Sequence, residues 1–127
     1  MNIETGYCPE EQRSPESAGR ELIEDFVSKV REKREAPIGE IKVLAGNLQE
    51  ALQPVAERLS KGRDVYFQYL VALAYLQILT IRPDYKEYCD DVIDGVRMSL
   101  EYDSDAPEAL RQKTAQFLEA QPKGTSG

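Results

Sequence analysis

The stretch Asp64–Thr80, DVYFQYLVALAYLQILT, decides the fold. Between its two ends the only polar side chains, tyrosine hydroxyls aside, are Gln68 and Gln77. A helix that is apolar on every side lies at the centre of a bundle or crosses a membrane. The run is about 17 residues, the lower limit for a span. Its two glutamines and its tyrosines suit a protein interior better than lipid. The amphipathic segments on either side also need a partner for their apolar stripes. The run is therefore expected to be a central helix, over about 64–81, with no membrane insertion.

Working back towards the N-terminus, Lys61-Gly62 reads as a helix stop, with glycine supplying the left-handed residue. Upstream, Ile41, Leu44, Leu48, Leu52, Val55 and Leu59 keep one helical phase from about Ile38 to Lys61, straight through Pro54. That pattern predicts one kinked helix or two short helices abutting. Before it, Ser14-Pro15-Glu16 has a hydroxyl N-cap followed by proline at the first helical position. Leu22, Ile23, Phe26, Val27 and Val30 then make a single stripe that Pro37 terminates.

Towards the C-terminus, Arg82-Pro83-Asp84 breaks the chain and opens a fourth helix, reaching about Tyr102. A fifth starts after Ser104-Asp105, with Pro107 near its first turn and Ala109, Leu110, Phe117 and Leu118 as its apolar residues. Short inferred loops favour antiparallel neighbours. No second copy of the Ser99–Leu110 junction lies about 34 residues away, so no tandem repeat is read. The expected fold is all-α, a single antiparallel bundle of about five helices over residues 14–120. Residues 1–13 are expected to be a flexible lead-in and 121–127 a flexible tail.

Composition narrows the function by exclusion. The 127 residues carry 16 Lys and Arg against 23 Asp and Glu, a net charge of −7. That balance disfavours nucleic-acid phosphates and favours partners with a basic surface. There is no histidine, so Ser-His and Cys-His nucleophile arrangements and the commonest metal ligand are absent. Cys8 and Cys89 lack the spacing of a zinc site or a redox pair. Both are expected to stay thiols in a cytoplasmic setting, since no basic segment followed by an apolar one opens the chain. Gly39, Gly46 and Gly62 do not form a phosphate-cradling loop.

One motif carries possible chemistry. Cys89–Gly95, CDDVIDG, sets Asp90, Asp91 and Asp94 in a D-D-x-x-D arrangement on the fourth helix. On a wheel, Glu87, Asp90, Asp91, Asp94 and Glu101 fall opposite Tyr85, Cys89, Val92, Val96 and Leu100. Met98 lies on the acidic side, as a candidate contact residue. Helical D-D-x-x-D can hold Mg²⁺ against a diphosphate, provided other groups complete the shell. Glu21-x-x-Glu24 with Asp91-x-x-Asp94 resembles, at longer separation, the paired acidic motifs of helical nucleotide pyrophosphohydrolases. The same spacing also describes the solvated side of any acidic helix.

The expectation is thus a non-enzymatic protein-binding module of adaptor, inhibitor, immunity, antitoxin or secretion-chaperone type, needing no cofactor. Its binding residues would be Glu87, Asp90, Asp91, Asp94, Met98 and Glu101. Two alternatives stand beside it. One is a small Mg²⁺-dependent nucleotide or diphosphate phosphohydrolase using Asp90, Asp91, Asp94, Glu21 and Glu24. The other is a structural subunit that forms homodimers.

Overall fold

A computed structural model describes residues 14–121. These form α1 (Pro15–Glu32), α2 (Ile38–Ala56), α3 (Arg63–Gln77), α4 (Lys86–Tyr102) and α5 (Glu108–Ala120). A 3₁₀ turn, Pro83–Tyr85, leads into α4, and no strand occurs among the described residues. The lead-in expected at 1–13, with Cys8, and the tail from residue 122 onward lie outside them.

The local signals act as their chemistry requires. Ser14 caps α1, its hydroxyl accepting from the Ser17 N–H at 3.1 Å. Pro54 lies in the last turn of α2, which is one helix ending at Ala56. It does not run on to Lys61. Proline lacks the N–H that the Glu50 carbonyl would receive, so the ladder is already thinned there. Residues 57–62 form the turn to α3, and Gly62 adopts the left-handed conformation (φ +79°). Gly62 is thus left-handed as expected, but it opens α3 rather than closing α2.

α3 ends at Gln77, although the apolar run continues to Ile81. The chain tightens through i,i+3 bonds, Ile78 N to Tyr75 O and Leu79 N to Leu76 O. That bend brings Arg82 to the α1–α2 loop, where its guanidinium donates to the Ala36 carbonyl and to both Asp84 oxygens. The Arg82 hydrogen bond holds the Asp84 carboxyl below the usual range, and Asp84 in turn raises Arg82.

α3 is the central element and packs against each of the other four helices. Seven of its residues are buried, from Val65 and Tyr66 to Ala74 and Tyr75, which is why the segment has no polar face. The larger core joins α1, α2 and α3 through Ile23, Phe26, Ile41, Leu52 and Leu70, and takes in Tyr85 and Cys89. A smaller one joins Ala72 of α3 to Ile93 and Val96 of α4 and Leu118 of α5. Leu76 and Val92 pack against both. No described helix is long and apolar enough to cross a membrane.

Candidate functional site

α4 divides as its sequence predicts. Cys89, Ile93 and Val96 are buried, while Glu87, Asp91, Asp94 and Glu101 are exposed. Asp90 is half-buried and pairs with Lys86 at 3.0 Å, one helical turn back. Asp94 pairs with Arg97 at 3.1 Å. The side chains of Glu87, Asp91 and Glu101 make no hydrogen bond or ion pair among the described residues. Two of the five sequence-nominated acids are therefore already neutralised within the helix, and the other three are not.

Apolar surface joins this strip. The large exposed hydrophobics among the described residues are Val43, Met98 and Tyr102, and two of these lie on α4. Met98 is 53% exposed and Tyr102 79%. Spacings of three, four and four residues from Asp91 through Asp94 and Met98 to Tyr102 set all four on one side of the helix. Tyr102 was not singled out by sequence reasoning. Its position near the helix end, four residues beyond Met98, is the signal that could have found it.

The carboxylates of the metal alternative do not converge. Glu24 lines a groove of about 350 Å³ between α1 and α3, together with Arg20, Tyr66, Tyr69 and Lys113. Asp91 lines a different groove, between α2 and α4. Glu21 is exposed on α1. Among the described residues no three Asp, Glu, Cys or His side chains come together in a way that could hold a metal ion.

The floor of the α2–α4 groove is aromatic and internally bonded. Gln49 donates its amide to the Tyr75 hydroxyl at 2.5 Å. Tyr85 packs edge-on against Tyr75, with ring centroids 5.1 Å apart. Tyr88 stacks at a tilt on Tyr85 at 4.8 Å. Lys42 places its ammonium 5.0 Å from the Tyr88 ring centre, a cation–π contact. Burial pushes the phenols of Tyr75 and Tyr85 upward, Tyr85 far beyond its ordinary value. Cys89, close by in the core, is a buried free thiol, pushed up to about 12 by burial first and by the Asp90 charge second.

The chain matches no protein-family model, no curated protein and no solved structure. Function therefore rests on the site alone. Lys42, Gly46, Gln49 and Tyr88 were not nominated from the sequence as site residues. The available signal was Gly46, since a glycine inside a helix costs stability and calls for a reason.

Proposed function

We propose that the protein is a cytoplasmic, non-enzymatic binding module that engages a basic partner protein through α4. The observation that carries this reading is the placement of Met98 and Tyr102, both exposed, on the strip that holds Glu87, Asp91, Asp94 and Glu101. Carboxylates attract and orient a basic surface from a distance, while apolar contact holds it after docking. Methionine adapts its shape to a partner and tyrosine contributes a rigid amphipathic ring. The buried free thiol of Cys89 is compatible with a reducing compartment.

The test begins with capture of the partner by the full chain and its identification by mass spectrometry. Association and dissociation rates are then measured across salt concentrations. Wild-type association should slow steeply as salt rises. Asp91→Asn with Glu101→Gln should slow it at low salt, and Met98→Ser with Tyr102→Ser should speed dissociation. Rates indifferent to all four changes would remove α4 from the interface. Saturable Mg²⁺ binding with diphosphate hydrolysis, both lost in Asp91→Asn, would replace this reading with the phosphohydrolase.

A further inference from the structure

The groove between α2 and α4, about 280 Å³ in volume, adjoins the α4 strip at Asp91. It lies just below the ~300–1,000 Å³ range for small-molecule sites, a size suited to one inserted side chain. Three observations describe what it would take. First, the face of Tyr88 accepts a cation, because Lys42 Nζ sits over it at 5.0 Å. Second, the Asp91 carboxylate lines the same groove without an ion pair among the described residues, so Lys42 has not satisfied it. Third, Gly46 keeps the groove open. A Cβ built there meets nothing within 4 Å, so neither packing nor backbone conformation requires glycine at this helical position.

A cation-accepting ring and an unmatched carboxylate in one open groove point to a planar cation as occupant. We propose that the α2–α4 groove receives the guanidinium of a partner arginine, which stacks on Tyr88, pairs with Asp91 and displaces Lys42. The proposal rests on the reading of α4 as the binding face and names its anchor. Arginine fits better than lysine. Its planar fork pairs with a carboxylate while its face stacks on a ring, and it sheds water more readily than an ammonium. An incoming lysine would only exchange one ammonium for another. The Lys42 ammonium stands in for the missing ligand, and its long exposed stem lets it swing out to solvent.

The experiment is a ¹⁵N-resolved NMR titration of the full chain with a capped Ala-Arg-Leu-Arg-Ala peptide. A control peptide carries neutral citrulline in place of both arginines. The backbone amides of Gly46, Tyr88 and Asp91 should move with the arginine peptide and stay still with the citrulline one. Gly46→Leu fills the groove while favouring the helix, so it should remain folded and weaken binding by about tenfold. Lys42→Met removes the resident cation and should tighten binding by about threefold. Weaker binding in Lys42→Met would overturn the proposal. Shifts confined to Met98, Glu101 and Tyr102 would overturn the groove and leave the α4 face standing. No shift at either place would sink both.

Discussion

Gln49 and Tyr75 meet at 2.5 Å, the amide of α2 donating to the hydroxyl of α3 beneath the groove that Asp91 lines. Tyr75 is 5% exposed and Tyr85, whose ring packs edge-on against it, 2%. Replacing Tyr75 with phenylalanine leaves the Gln49 amide without its acceptor, which should cost ~1–3 kcal/mol. Replacing Tyr85 with phenylalanine leaves the Gln49–Tyr75 bond intact, so a smaller loss, about 1 kcal/mol or less, is expected. Urea denaturation of both variants checks the order. A Tyr85→Phe variant less stable than Tyr75→Phe would mean that the Gln49–Tyr75 bond is not what stabilises this cluster.

Two glycines should respond with opposite sign to alanine. At Gly46 the new methyl meets open space, and the helix gains ~0.5–1 kcal/mol relative to glycine. At Gly62 the backbone is left-handed (φ +79°), and a Cβ would lie 2.9 Å from Leu110 Cδ2 and 3.1 Å from Ala106 Cβ. Strain of ~1–3 kcal/mol is expected there, with the start of α5 pushed away from the turn. Thermal melts of the two variants should therefore shift in opposite directions.

Stability should fall on the alkaline side. The folded state holds Cys89 neutral, raising it from an ordinary 9.0 to about 12. Its contribution is whole below pH 9.0 and is lost as pH climbs towards about 12, because the unfolded chain ionises first. The slope within that window approaches ~1.4 kcal/mol per pH unit for one fully buried thiol. Tyr75 and Tyr85, raised from 10.0, steepen it at higher pH. Urea midpoints measured in steps through that range should fall, and less steeply in Cys89→Ala, which starts from lower stability at neutral pH.

The acids of α4 should be separable from folding. Changing Asp90, Asp91 and Asp94 together to asparagine relieves repulsion between carboxylates three and four residues apart. It also breaks the pairs with Lys86 and Arg97, exposed contacts worth about 0.5 kcal/mol or less each. The effects oppose each other at similar size, so the net change in stability should stay within ~0.5 kcal/mol. A larger loss, by the same denaturation assay, would assign these residues to the fold.

Much of the architecture was legible because it depends on local pattern. The apolar run from Val65, the Ser14 cap and the left-handed Gly62 each state a requirement within a few residues of where it is met. The ends of α2 and α3 were not legible. Pro54 stops one early, and α3 stops at Gln77 where the chain turns Arg82 towards Ala36, a partner 46 residues away. Depth along α3 was only half legible as well. Leu70 is buried, but Leu73 opens onto the α1–α3 groove and is half-exposed. Leu70→Ala should thus cost ~2–5 kcal/mol and Leu73→Ala clearly less. On the proposed binding face, the acids and Met98 were readable from one helix wheel. The pairing of Lys42 with Tyr88 joins two helices and has no signature in either.

The central place of α3 sets an order in which the backbone can open. Its amides are enclosed by all four neighbours, so their exchange with solvent hydrogen requires the whole bundle to come apart. α5 buries only Thr114 and Leu118, and its link to α1 is the exposed Lys113–Glu16 contact at 3.0 Å. Beyond these it is held by Arg111 on the Leu100 and Asp103 carbonyls and by Phe117 against Tyr69. Its lifting away from the other four helices is the expected first opening. Protection against exchange should therefore peak in α3 and be lost first in α5, leaving four helices as the cooperative unit while the fifth acts as a detachable flap.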